Sequence, residues 1–374
     1  MTEYRWGRPG EEAEILDFIN LVFSQSARPH HFDALIPKVY AHSDFAPLHA
    51  LAVTNGRIRG AVAMLPEQVS LAGEVLNGGY IGSVSVHEKA RGEGHMKRLM
   101  AMQIDAAQRQ GYDFLALGGR RQRYGYFGFE KSGAALEFSI NADNIRHGLK
   151  DVPDAPVIRP LTGQDDPALP DLIALQARQP FFCRRAPDRF YETLTTYNAS
   201  PFVISDAAGA CQGWLVAIDR QIIEIVVRDA EFLPQAIKAW MKGRPSCTVS
   251  LPLWQRREAE ILNGFAENCS AGETDMLRVL HWPRVLAAAL TLKEQIQPLP
   301  DGRVVLEIDG QRWALSVRNG AVRVEETDDA PCKVLTDRQA TGLLFTPYAA
   351  LTESHPLLQA WLPLPLTIPV PDQF

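Results

Sequence analysis

Arg91-Gly92-Glu93-Gly94 stands between two runs of different period. Before it, Val84 and Val86 alternate with Ser83 and Ser85, the signature of a half-buried strand. After it, Met96, Leu99, Met100, Ile104 and Ala107 recur every three or four residues, which is one apolar face of a helix. A strand feeding a glycine-bearing turn that opens a helix presents unpaired backbone N–H groups to an anion, above all to phosphate oxygens. Arg91 adds a fork of charged donors beside them. Lys97 occupies the place of the third glycine of a dinucleotide fingerprint, and the Gly-Lys-Ser/Thr of a P-loop is absent. The histidines around the loop, His87 and His95, read as surface or packing residues. The pairs His30-His31 and His42/His49 lack metal-ligand spacing, so no metal is expected.

The elements that must position this turn can be read on both sides of it. A short strand becomes a helix over 11–23 with Ile15, Phe18, Ile19 and Val22 on one face, and a His-rich helical stretch covers 30–40. Strands over 48–53 and 59–65 flank Asn55-Gly56, a hairpin turn signal, and a second hairpin turns at Gly73. The helix after the loop ends at Gly111, a C′ glycine. A strand over 113–118 follows, and 136–140 is expected to close this first unit. The proline-bearing segment 151–156 reads as a linker. Beyond it strands are expected at 202–205, 213–218, 221–227 and 247–251, with a helix over 232–241. The turn after Val227 has no glycine, so no second phosphate cradle is expected. From about residue 288, Asp301-Gly302, Asp309-Gly310 and Asn319-Gly320 punctuate an antiparallel meander over 304–308, 313–317 and 322–325. Thr336-Asp337 then caps a short helix, 357–361 is helical and 366–370 is a terminal strand.

Composition narrows the class. A chain of 374 residues suits two or three domains. With 46% apolar and 22% charged residues it reads as globular. A net charge of −6 argues against nucleic acid as a partner and is compatible with cationic substrates. No apolar run reaches about 18 residues, and the N-terminus lacks a secretory apolar region. The expectation is therefore a cytoplasmic protein without stable membrane insertion. Five scattered cysteines without Cys-x-x-Cys fit reduced thiols.

The strand, turn and helix resemble the pyrophosphate loop of the GNAT acetyltransferases, Arg/Gln-x-x-Gly-x-Gly/Ala. Arg91, Gly92, Glu93 and Gly94 take its first four positions, and Met96 stands where Gly or Ala is usual. Downstream, Tyr124-Gly125-Tyr126-Phe127-Gly128-Phe129 resembles the tyrosine motif of the Eis-like (enhanced intracellular survival) branch. The terminal Phe374 matches that branch as well. The resemblance implies an α+β chain of three parts: a catalytic GNAT domain (1–152), a degenerate GNAT-like domain (153–287) and a sterol-carrier-protein-like domain (288–374) ending in a docked C-terminus. It implies acetyl-CoA as cofactor, held by the backbone of Val84, Ser85 and Val86 at the thioester and by Arg91, Gly92, Glu93, Gly94, His95 and Met96 at the phosphates. It further implies transfer to a primary amine, with Tyr124 as general acid (Tyr126 as fallback) and the Phe374 carboxylate as general base. Desolvation would raise that carboxylate's pKa and make it a better base.

The acceptor implied is a small-molecule primary amine or, in a rival reading, a peptide or protein lysine. The family allows a homo-oligomer, a hexamer in many members. Arg120-Arg121-Gln122-Arg123 replaces a Ser-Glu pair common in the family. It reads either as a solvated basic loop or as a contact to phosphates or to an acidic acceptor. A rival of another class is a non-catalytic binding protein for an apolar ligand, with a vestigial acetyltransferase domain.

Overall fold

The computed structural model describes residues 1–25, 29–154 and 156–374. Residue 155, in the expected linker, lies outside the described residues. Two mixed sheets and a smaller third one carry the chain.

The first sheet runs Thr2–Trp6, His49–Thr54, Arg57–Leu71, Glu74–Val86, Phe114–Leu117, Asp275–Val279, Glu130–Ser132, with Phe181–Cys183 paired to the far end of Arg57–Leu71. Its first two hairpins turn as expected. Asn55 and Gly56 have φ of 51° and 71°, and Ala72 and Gly73 have 50° and 91°, the positive pair that a type I′ turn requires. The helix Glu12–Ser24 buries Ile15, Phe18, Ile19 and Val22, the face read from the sequence. The helix His95–Arg109 covers the opposite face of the sheet with Leu99, Met100, Ile104 and Ala107. It ends at Gly111, where the Gly111 N–H bonds to Gln108 O and the Tyr112 N–H to Ala107 O, the two bonds of a Schellman cap.

One expectation is corrected. The segment around 136–140 does not close the first unit. The strand Ala135–Asn141 pairs with Ser246–Pro252 and Asn268–Gly272 in the second sheet. In return Asp275–Val279, unmarked in the sequence reading, enters the first sheet between Phe114–Leu117 and Glu130–Ser132. Alternation tells which face of a strand is buried but not which sheet receives it.

The second sheet runs Asn268–Gly272, Ala135–Asn141, Ser246–Pro252, Gln221–Val227, Cys211–Ile218, Ser200–Ser205, Val157–Pro160. It repeats a feature of the first. Gln221–Val227 pairs in parallel with Ser246–Pro252 only at Gln221 and Ile222. Likewise Glu74–Val86 pairs in parallel with Phe114–Leu117 only from Gly78 to Tyr80. Past those points the strands part. Only the first sheet follows its parting strand with a glycine loop.

In the third part, Gly302–Ile308, Gln311–Arg318 and Ala321–Glu326 form the expected meander, with Lys333–Leu335 added in parallel. Asp309-Gly310 and Asn319-Gly320 make its positive-φ turns. Asp301-Gly302 does not. Gly302 opens a strand where a β-carbon would meet the Leu357 side chain at 2.4 Å, so close packing is why glycine stands there. Thr336 caps the helix Asp337–Phe345 with a capping box. The terminal strand over 366–370 is also corrected. Residues 366–369 belong to no sheet and Val370 opens a 3₁₀ turn, Val370–Asp372, the Ala134 N–H bonding to Thr367 Oγ1 at 3.0 Å. One apolar core runs without a break from Ile15 and Phe18 through Tyr40 and Tyr80 to Trp361, Ile368 and Phe374. The last residues are therefore interior. Among the described residues no helix is long and apolar enough to cross a membrane.

Candidate active site

The turn after Glu74–Val86 has the shape its residues imply. A single 3₁₀ turn, Glu88–Ala90, brings the chain to Arg91; Gly92 has φ 87° and Gly94, as N-cap of His95–Arg109, has φ 81°. A β-carbon at either glycine would meet nothing within 4 Å, so the demand is for left-handed backbone and not for space. A cleft of about 930 Å³ opens here. Val84, Ser85, Val86, Arg91, Gly92, Gly94, His95 and Met96 line it, joined by Lys97, Arg123, Tyr126 and Phe23. Glu93 is the one expected loop residue outside the lining. Its carboxylate lies 3.1 Å from His95 Nε2, while His95 Nδ1 meets the Tyr4 hydroxyl at 2.8 Å. His95 is thus a buried brace for the first turn of the helix. Lys97 and Arg123 add two cations to Arg91 around the cleft. Lys97, whose ammonium sits 4.8 Å from the Tyr126 ring centroid, was seen in the sequence only as a missing glycine.

The basic run divides by neighbour. Arg121 is taken by Glu130, its Nε 2.5 Å from Oε1, and Arg338 approaches the same carboxylate at 2.6 Å. Arg123 faces the cleft. Tyr124 and Tyr126 also divide: Tyr126 is 66% exposed, and Tyr124 only 6%. The Tyr124 ring lies on Gly119, where a β-carbon would come 2.3 Å from Cε2. Tyr124 ends the short helix Arg121–Tyr124, which follows the strand Phe114–Leu117. Burial pushes its phenol above the ordinary value, with Arg123 drawing it partly back.

Beyond Tyr80 the Glu74–Val86 strand has no strand partner on the Phe114–Leu117 side among the described residues, which leaves that edge of its backbone for a ligand. Its pairing with Arg57–Leu71 slips between Ala61 and Ala63, and Ser83 sits at φ 50° in the resulting bulge. The C-terminus docks against this bulge. Phe374 is 6% exposed, and a β-carbon on Gly82 would meet the Phe374 carbonyl carbon and oxygen at 2.8 and 2.7 Å. The Phe374 ring stacks on Tyr40 with centroids 5.8 Å apart and planes at 26°.

Tyr40 is itself fixed by a buried chain. His49 Nδ1 lies 2.9 Å from the Phe45 carbonyl, which can only accept, so Nδ1 carries the proton and Nε2 accepts from Tyr40 at 3.0 Å. The Tyr40 oxygen then accepts from Ser83 Oγ at 2.6 Å. Burial lowers the His49 pKa to about 4, so the imidazole is neutral and the chain keeps its direction at neutral pH.

Asp275, on the exchanged strand, was missed in the sequence. Its Oδ1 accepts from Tyr80 at 2.8 Å and from Gln373 Nε2 at 3.1 Å, and its buried Oδ2 has no partner among the described residues. Burial raises its pKa to about 7. No local signal marks it, because its strand reaches the site from far along the chain. His42 is tied up with Glu192 at 2.6 Å, away from the cleft lining.

Comparison with known proteins bears on the domain and the fold. Residues 3–132 match the acetyltransferase (GNAT) domain family. That portion of the chain is therefore an acetyltransferase domain, and the protein is an acyltransferase enzyme. Among curated proteins none matches the sequence. The fold is similar over the full chain to a GCN5-related N-acetyltransferase from Kribbella flavida (TM-score 0.70, 18% identity, 100% of this chain and 98% of that one). It is similar to a GCN5-related N-acetyltransferase from Anabaena variabilis (TM-score 0.68, 16% identity, 100% of both). Eis1 from Mycobacterium abscessus shares the fold too (TM-score 0.63, 14% identity, 100% and 99%).

Proposed function

We propose that the protein moves an acetyl group from acetyl-CoA to a primary amine by direct attack in a ternary complex, with Tyr124 as general acid and the Phe374 carboxylate as general base. The observation that carries this reading is the docking of the C-terminus on Gly82, in the same strand that runs into the anion-binding loop. A free chain end is normally solvated; this one is brought to the place where two strands part beside a cationic cleft.

The residues present fit coenzyme A. Open N–H groups at a helix start, two left-handed glycines and the cations Arg91, Lys97 and Arg123 suit its phosphates. The unpaired edge of Val84–Val86 suits its amide-bearing arm. Acetyl-CoA, when bound, supplies the acetyl group as a thioester. The Phe374 carboxylate takes a proton from the acceptor's ammonium, which has no lone pair until then. The Tyr124 hydroxyl, kept protonated by burial, gives its proton to the departing sulfur. The division into 1–152, 153–287 and 288–374 belongs to the same reading, with three strands crossing its first boundary: Ala135–Asn141 into the second sheet, Phe181–Cys183 and Asp275–Val279 into the first. A second GNAT-like unit is supported by the repeated parting of parallel strands.

Calorimetry with acetyl-CoA tests the loop. Gly94→Glu forces a side chain onto φ 81° and adds a negative charge at the anion site. Saturable binding to the wild type and at least a tenfold loss in the variant are expected, on the order of 1.4 kcal/mol or more. Absence of binding to the wild type would overturn the assignment.

A further inference from the structure

Each of the last residues before Phe374 is held from a different part of the chain. Lys38 Nζ, from the short helix Pro37–Tyr40, donates to Pro371 O at 2.9 Å. Arg185 donates to both oxygens of Asp372, Nε to Oδ1 at 2.8 Å and Nη2 to Oδ2 at 2.7 Å. Gln373 donates to Asp275 and, through its N–H, closes a turn on Val370 O at 3.2 Å. Arg185 is the hub. Its side chain is 2% exposed, and its other face forks onto Glu224, Nη1 to Oε1 at 3.0 Å and Nη2 to Oε2 at 2.5 Å. Glu224 is in turn fixed by Trp214 Nε1 at 2.6 Å. Glu224 and Trp214 lie on adjacent strands of the second sheet, Gln221–Val227 and Cys211–Ile218.

We propose that Arg185 is a positioning residue for acetyl transfer: clamped on Glu224 of the second sheet, it grips Asp372 and so sets the Phe374 carboxylate on Gly82. This rests on the reading of Phe374 as base, and it gives the second sheet, which has no phosphate loop of its own, a part in the reaction. The geometry is specific. A planar guanidinium bonded on two sides to two carboxylates fixes both distance and orientation between them. Only one residue separates Asp372 from the terminal one. Lys could keep the charge at position 185 but not both forks. A buried Arg between carboxylates is weak evidence of stability by itself, so its use here is read from what it holds.

The test separates the grip from the chemistry. A carboxypeptidase that prefers aromatic ends is applied to the native full chain, and release of Phe374 is followed. From the wild type, release is limited by rare opening of the tail. From Arg185→Gln it is expected to be at least about tenfold faster, a shift of the tail's opening equilibrium by that factor, while acetyl-CoA affinity is unchanged. Should Arg185→Gln fail to fold, Asp372→Asn serves, since it weakens the same grip and leaves Arg185 on Glu224. A folded variant of either kind with wild-type release overturns the proposal. In the kinetic arm, Arg185→Gln lowers kcat by about a hundredfold with little change in the KM for acetyl-CoA. The same substitution has no further effect in a chain already lacking Phe374. An equal loss in that shortened chain would mean a general structural role and would also overturn it. If the wild type transfers no acetyl group yet release is still accelerated in the variants, the grip stands and the reading of Phe374 as base falls.

Discussion

At the scale of single residues the site is defined by atoms that leave no room. A β-carbon on Gly82 would sit 2.7 Å from the Phe374 oxygen, so Gly82→Ala displaces the terminus without touching the tail itself. Steady-state kinetics should show kcat falling by one to two orders of magnitude, the usual cost of a misplacement of about 1 Å, with acetyl-CoA binding kept. Tyr124→Phe removes the proton donor but not the ring. The expected loss in kcat is about 10²- to 10⁴-fold, whereas the exposed Tyr126→Phe stays near the wild type; the reverse ranking would transfer the acid role to Tyr126. Asp275 gives a pH signature. Its folded pKa of about 7 lies above the ordinary carboxylate value of about 3.9. Between those values the folded chain holds a proton that the unfolded chain has lost, so this group's contribution to stability falls as pH rises and is level above the folded pKa. Asn keeps the two accepted hydrogen bonds and cannot ionise. Asp275→Asn should therefore melt higher than the wild type near pH 8, with the gap closing towards pH 4, in thermal scans across that range; a gap independent of pH would contradict the assignment.

At the scale of elements, the traded strands decide what can fold alone. Asp275–Val279 is the shared partner of Phe114–Leu117 and Glu130–Ser132, and its Leu277 and Met276 are buried on the two faces of the first sheet. A fragment of residues 1–152 lacks it and carries Ala135–Asn141 with no sheet to join. Circular dichroism should show no cooperative melt for that fragment, and a sharp transition would mean that the first sheet closes without its borrowed strand. The same exchange marks the limit of what was legible in the sequence. Periodicity and turn residues located the loop, the helix His95–Arg109 with its glycine cap and the meander, because those signals are local. Asn55-Gly56 and Asn319-Gly320 announced their turns by residue type. Asp301-Gly302 carried the same signal for a different cause, the press of Leu357 on a strand. Asp275, Lys38 and Arg185 carried no signal, since each matters through a partner between about 98 and 333 positions away.

At the scale of the whole molecule, the chain closes on itself around its last residue. Pinning a free end costs roughly 1–2 kcal/mol per residue in backbone entropy, and burying one phenylalanine ring returns about 2–3 kcal/mol. Ordering four residues thus takes partners beyond the ring, and Lys38, Arg185 and Asp275 hold the tail in one geometry from the early helices, the middle of the chain and the traded strand. That is a physical reason for a GNAT domain to be part of a chain more than twice its length. The most direct measurement is acetylation of a panel of primary amines by the full chain and by the chain ending at Gln373, with acetyl-CoA calorimetry on both. The account predicts equal acetyl-CoA affinity and a loss of transfer of about 10²- to 10⁴-fold in the shortened chain. Transfer at the wild-type rate without Phe374 would contradict it.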